Sequence, residues 1–127
     1  MGFPVQGWIV AAGIFDIAFA AFHALFPIIF RWDERLKRLD PVNRAIMRTL
    51  NIMLALVMLS AGLAFALLPG VVAADRLGRG MLFAAAGLWL VRAALQGPMF
   101  GLAHPASKAI TLVFGLGVAL HAVPAWP

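Results

Sequence analysis

The chain has 127 residues, of which 64% are hydrophobic and only 12% are charged. Soluble globular domains average about 25% charged residues, so this composition excludes a soluble domain and indicates a membrane protein. The chain has no cysteine, which excludes disulfides, thiolate nucleophiles, Cys-ligated zinc and iron–sulfur clusters. We therefore expect an all-α fold, a polytopic membrane protein with a four-transmembrane-helix bundle, as a single integral membrane domain over residues 1–127.

Four apolar segments are long enough to cross the roughly 30 Å core of a bilayer as helices. They cover about residues 8–30, 46–68, 80–100 and 105–123. The first is expected to be a retained span, because no basic residues precede it and it is longer than the apolar part of a signal peptide. Trp8 and Trp32 are expected at its two membrane interfaces.

The loop after the first span, residues 31–45, is strongly basic. Six of the ten basic residues lie there or just beyond it: Arg31, Arg35, Lys37, Arg38, Arg44 and Arg48. This is the pattern of a cytoplasmic loop, and anionic lipid is the partner expected at Arg31–Arg48. No nucleic acid is expected as a partner, since no aromatic residues alternate with the basic ones as a platform for stacked bases.

Helix start and stop signals delimit the later spans. Asp40-Pro41 predicts the start of the second helix and Leu68-Pro69-Gly70 its end. The third helix is expected to end near Gly97-Pro98, and His104-Pro105 to open the fourth, with Trp126 at its outer interface. Seven basic residues lie on the side of the first loop and two on the other. That difference predicts a bacterial inner-membrane protein with both termini outside the cytoplasm.

Small residues form a stripe on each of the last two helices. In the fourth helix the stripe has a spacing of four, with Ser107, Thr111, Gly115 and Ala119. In the third helix Gly80, Ala84 and Gly87 lie on roughly one face. Such stripes allow close helix packing, within one chain, in a homo-oligomer or in a larger membrane complex.

Polar residues within the spans form the candidate site, a buried polar or ligand-binding layer. Its members are Asp16, His23, Asn51, Trp89, Arg92, Gln96 and Thr111. With a rise of about 1.5 Å per residue from the outer end of each span, Asp16 lies ~12 Å deep, Arg92 ~18 Å, His23 ~22 Å and Gln96 ~24 Å. Asn51 and Thr111 fall near the level of His23 and Gln96. Each span thus contributes to a layer in the cytoplasmic half.

Each member of this layer has a structural and a functional interpretation. Asn51, Gln96 and Thr111 are mostly expected to join helices by hydrogen bonds. Arg92 and Asp16 form either a structural ion pair or a working site, because charges within a membrane are costly. His23 is either a structural histidine with its hydrogen bonds satisfied or a residue that carries a proton or ligand. His104 and His121 are expected at the membrane edges, where water satisfies them and substitution is tolerated.

The sequence favours a protein without catalytic residues. Zinc-protease, Walker and nucleophile-elbow motifs are absent, and no metal site is expected. Haem is expected only if His23 pairs with its copy in a dimer. The leading hypothesis is a non-enzymatic binding or accessory subunit. The alternatives are a homo-oligomeric channel or carrier for protons or a small anion, and a haem- or quinone-binding redox subunit.

Overall fold

The computed structural model describes residues 4–127. Within them it contains four long helices, which we number α1 to α4, and no strand. They are α1 (Val5–Ala24), α2 (Pro41–Leu67), α3 (Arg76–Ala94) and α4 (Pro105–Ala125). Each is long and apolar enough to cross a membrane, and α3 does so together with the short helix that follows it. The prediction of an all-helical chain with four such helices is confirmed.

Short helices connect the long ones. They are Phe26–Ile29, Trp32–Arg35, the 3-10 helix Leu36–Arg38, Pro69–Ala74 and Gln96–Phe100. The first predicted span is therefore broken after Ala24, because Pro27 has no backbone N–H to continue the ladder. Trp32, predicted at an interface, is only 5% exposed, and its ring centroid lies 6.3 Å from that of Phe26.

The helix starts depend on side-chain caps that the sequence makes visible. Asp40 accepts hydrogen bonds from the backbone N–H groups of Val42 at 3.0 Å and Asn43 at 3.1 Å. The side-chain and backbone hydrogen bonds from Asn43 hold the pKa of the Asp40 carboxyl below its usual value. At the start of α4, His104 Nδ1 accepts the N–H of Ala106 at 3.1 Å. Asp40 and His104 thus satisfy backbone donors that the helix itself leaves unpaired.

Helix α1 is central to the packing, because it lies against both α2 and α4, while α3 packs on α4. Its contact with α2 is closest at Gly13 and Gly62. A Cβ on Gly13 would lie 2.5 Å from Ala66 N and 2.6 Å from Gly62 O. No real side chain fits at that distance, so the two backbones approach this closely only with glycine at the crossing.

The two ends of the bundle differ in composition. A hydrophobic cluster of Ile9, Phe65, Val72, Leu82 and Ala125 joins the first turns of α1, the 69–74 connection and the last turn of α4. We call this the terminal end. The opposite end carries the 25–40 and 95–104 connections and most of the basic residues, and we call it the basic end.

The glycines of the predicted small-residue stripes are not in contact with a neighbouring helix of the described chain. A Cβ on Gly80, Gly87 or Gly115 would meet no described atom within 4 Å. The packing glycine of α4 is instead Gly117, where a Cβ would lie 2.7 Å from the Phe15 ring. Since successive helical residues are 100° apart, Gly115 and Gly117 point in nearly opposite directions.

Candidate functional site

Asp16 lies in the middle of α1 and faces both α3 and α4. Its side chain is buried, with 4% of the residue exposed. One carboxyl oxygen, Oδ1, accepts a hydrogen bond from Trp89 Nε1 on α3 at 3.1 Å. The other, Oδ2, lies 3.1 Å from His121 Nε2 on α4. A single acidic group therefore joins three helices.

His121 has both ring nitrogens engaged and no exposed surface. Its Nδ1 lies 2.7 Å from the backbone carbonyl oxygen of Gly117, one turn earlier in α4. A carbonyl oxygen only accepts, so Nδ1 carries a hydrogen. Nε2 therefore has either a lone pair or a second hydrogen directed at the carboxyl group of Asp16.

This geometry fixes the number of protons that Asp16 and His121 share. One hydrogen must lie between Nε2 and Oδ2, since two lone pairs at 3.1 Å would repel each other. It belongs either to an imidazolium facing a carboxylate or to a carboxylic acid facing a neutral imidazole. Both arrangements have zero net charge. Removing that hydrogen would leave an uncompensated negative charge in the core, which is costly in an apolar environment.

Aromatic rings enclose the Asp16–His121 pair. The ring centroid of Phe65 lies 5.7 Å from that of His121, and the centroid of Phe15 lies 4.9 Å from that of Trp89. Trp89 also stacks against Phe114, with centroids 5.9 Å apart and planes inclined by 24°. These rings exclude water and strengthen the electrostatic interaction inside them.

Arg92 belongs to a second cluster, nearer the basic end. Its Nη1 donates to Gln96 Oε1 at 2.9 Å, and Gln96 Nε2 donates to Ser107 Oγ at 2.8 Å. The Ser107 hydroxyl in turn donates to the carbonyl of Gly101. In these three hydrogen bonds each residue donates to the next. They form a continuous path that joins α3, the 95–104 connection and α4.

Phe114 separates the two clusters. The guanidinium carbon of Arg92 lies 4.4 Å from the centroid of the Phe114 ring, whose neighbour Trp89 donates to Asp16. The cation is therefore stabilised by an aromatic face and not by the carboxylate. The interpretation of Asp16 and Arg92 as an ion pair is wrong in this structure, because Trp89 and His121 take both carboxyl oxygens.

His23 and Asn51 form a third cluster between α1 and α2. His23 Nδ1 lies 2.9 Å from Asn51 Oδ1, and Asn51 Nδ2 donates to the His23 carbonyl oxygen at 2.8 Å. Pro27 cannot donate to that carbonyl, so the Asn51 amide supplies a donor at this break. The His23 ring also packs on Phe26, with centroids 4.2 Å apart.

The predicted polar layer is thus three separate clusters. The structure places Asp16 with Trp89, Arg92 with Gln96, and His23 with Asn51. The Thr111 hydroxyl donates to the backbone carbonyl of Ser107 in its own helix, at 2.7 Å. A common depth along straight helices does not bring side chains together, because each helix face selects its own neighbours.

The expectation for His121 is wrong. The sequence predicts His121 at a membrane edge in contact with water, whereas it has no exposed surface and faces Asp16. The sequence does indicate that His121 is buried. Phe114, Gly117 and His121 recur at intervals of three and four, which is the spacing of one buried helix face. His104 is exposed at the basic end of α4, where it was expected near an edge, but it serves as a cap.

Residues 4–127 contain no group of three or more His, Cys, Asp or Glu side chains placed to hold a metal ion. Comparison of the chain with protein-family models, curated proteins and solved structures gave no match. The candidate site therefore depends on its own geometry.

Proposed function

We propose that the chain is a non-enzymatic integral membrane protein whose core binds one proton at the Asp16–His121 pair. The observation that carries this proposal is the pairing of a carbonyl-bound imidazole with a buried carboxyl group. Such a protein acts as a binding or accessory subunit whose core gains one negative charge when the proton leaves.

Membrane insertion is supported by the outward faces of the helices. Leu67, Leu88 and Leu112, from three different helices, are 72%, 70% and 76% exposed. Apolar surface on that scale is unfavourable in water but is matched by lipid chains. The cytoplasmic location of the basic end in a bacterial inner membrane, with both termini outside, belongs to the same proposal.

Contact of the basic end with anionic lipid is supported by its free cations. Arg48 pairs with Asp33, and Arg44 donates to the backbone carbonyls of Leu36 and Leu39. Arg35, Lys37 and Arg38 are exposed, and within residues 4–127 none of them forms an ion pair. Each such cation near an anionic surface contributes about 1 kcal/mol of attraction.

Asp16 and His121 lie within ion-pair distance of each other. The titratable groups on the surrounding elements are His23 on α1, Arg44 and Arg48 on α2, Arg76, Arg79 and Arg92 on α3, Lys108 on α4, and Asp75 just before α3. Among the described residues, none of these lies within ion-pair distance of the pair. The hydrogen between Nε2 and Oδ2 is thus held by the hydrogen bond of the pair itself.

The decisive experiment follows the imidazole nitrogens of nitrogen-15-labelled histidine by NMR, with the protein in lipid, from weakly acidic to basic pH. In the wild type we expect the His121 ring to stay doubly hydrogen-bonded until the shared proton leaves. Asp16→Asn should lock His121 in its neutral form, because the amide donates to Nε2 and supplies no negative charge. The matched control is His23→Gln, which removes the histidine of α1 and should leave the signals of His121 in α4 unchanged.

An unchanged His121 titration in folded Asp16→Asn would exclude proton sharing. Transport is tested with Asp16→Asn and a further variant, His121→Gln, in liposomes that contain a pH-sensitive dye. Flux that is lost in Asp16→Asn and His121→Gln would favour the alternative of a homo-oligomeric proton channel or carrier. The redox alternative, with haem at His23 or a quinone, stays a prediction and is tested by the absorbance spectrum of the purified protein.

A further inference from the structure

Within residues 4–127, Arg92 is a cation without a carboxylate partner. The chain contains five acidic residues, and each has another role. Asp16 faces His121, Asp33 pairs with Arg48, and Glu34 pairs with Arg31. Asp40 and Asp75 cap the starts of α2 and α3. A second copy of the chain would have the same five groups engaged in the same way, which favours a counter-ion from outside the protein.

The guanidinium of Arg92 keeps most of its donors available. It has five N–H groups, and within residues 4–127 its one hydrogen bond accepted by a side chain is that to Gln96. The rings of Phe100 and Phe114 lie 5.1 Å and 4.4 Å from the guanidinium carbon. Gln96 accepts from one N–H group and the guanidinium carbon lies over both rings, which leaves further N–H groups for an acceptor outside the chain.

The position of Arg92 suits a group at the membrane interface. It lies eight residues before Phe100, the end of the apolar segment Arg76–Phe100, which corresponds to about 12 Å of helix. Arginine side chains at such positions extend toward the headgroup region. Arg92 is half-buried, and Phe100 beside it is 68% exposed, so the site is open to the outside of the bundle.

We infer that Arg92 binds the phosphate group of a membrane phospholipid between α3 and α4 at the basic end. A planar guanidinium gives paired hydrogen bonds to phosphate, and Gln96, fixed by Ser107, holds it in place. The acyl chains would lie along the exposed apolar residues beside it, such as Leu95 and Met99. This inference depends on the membrane insertion proposed above and is independent of the proton at Asp16 and His121.

The test measures lipid adducts on the full-length protein by native mass spectrometry from detergent. The probes are phosphatidylglycerol, diacylglycerol with the same acyl chains, and inorganic phosphate. The wild type should bind one phosphatidylglycerol in preference to diacylglycerol. Arg92→Gln should weaken that binding about tenfold or more, because the charge-assisted hydrogen bonds are lost. Arg76→Gln, which removes one positive charge at the terminal end, is the matched control and should bind like the wild type.

Three results would overturn the inference. They are retention of full phosphatidylglycerol affinity by folded Arg92→Gln, equal affinity of the wild type for diacylglycerol, and binding of inorganic phosphate as tightly as the lipid. If Arg92→Gln does not fold, Arg92→Lys takes its place. Lysine keeps the charge but not the paired geometry, so its affinity should fall about threefold, and an unchanged affinity would count against the site.

Discussion

At the scale of single residues, the most informative contact is the one between Asp16 and Trp89. The indole N–H fixes Oδ1, which leaves Oδ2 directed at His121. Trp89 also fills the space among Phe15, Phe19 and Phe114. The residue thus has a polar role and a packing role. Substitution by phenylalanine removes the hydrogen bond and keeps a smaller aromatic ring in the same place.

We expect Trp89→Phe to lower the free energy of unfolding by about 1–3 kcal/mol, because Asp16 Oδ1 loses its donor in a buried site and the smaller ring leaves a gap. Denaturant titration of the purified protein in mixed micelles measures this change. Trp126→Phe is the control, since Trp126 is 75% exposed and its substitution should change stability by less than about 0.5 kcal/mol. Equal stability of the two variants would mean that the indole N–H contributes nothing to the fold.

At the scale of helices, the boundaries that a cap or a proline marks are predicted best. Asp40-Pro41 and His104-Pro105 each carry a cap and a proline suited to the first turn, and α2 and α4 begin at those prolines. The end of α1 came earlier than predicted, at Ala24, because apolar residues continue past the helix and hide the break. Composition alone does not separate a continuous span from a helix followed by a turn and a short helix.

The contact between α1 and α2 gives a second prediction. Gly13→Ala should destabilise the protein by about 1–3 kcal/mol, because the added methyl group forces the two backbones apart. Gly115→Ala is the matched control: it lies in a helix, meets no described atom, and should gain about 0.5–1 kcal/mol from helix propensity. Stability changes of opposite sign for the two variants, measured by thermal or denaturant unfolding, support the close contact between α1 and α2. A Gly13→Ala variant as stable as the wild type would contradict it.

At the scale of the whole molecule, hydropathy was sufficient for the helices but not for the site. The sequence predicts four spans because each must be about 20 residues long to cross a bilayer. The pairing of Asp16 with His121 depends on how α1 and α4 are aligned. Ala125, in the last turn of α4, packs in one cluster with Ile9, in the second turn of α1. That offset brings His121 deeper than its distance from the chain end suggests.

The alignment of the chain ends also bears on orientation. Ile9, Val72 and Ala125 share one cluster, so both ends of the described chain lie beside the 69–74 connection, opposite the basic end. If the basic end is cytoplasmic, a periplasm-dependent reporter fused to the C-terminus should be active and a cytoplasm-dependent one inactive. The reverse pattern would invert the proposed topology.

Neutralising part of the basic end tests the cause of that orientation. Arg35→Gln, Lys37→Gln and Arg38→Gln together remove three of the basic residues of the first loop, and these three form no ion pair among the described residues. The fold should therefore be preserved while the charge difference across the membrane falls, and we expect a fraction of molecules to insert with the reversed orientation. Arg76→Gln with Arg79→Gln, at the opposite end, should instead strengthen the original orientation. If all variants give the same reporter ratio, helix hydrophobicity and not basic charge determines how the chain inserts.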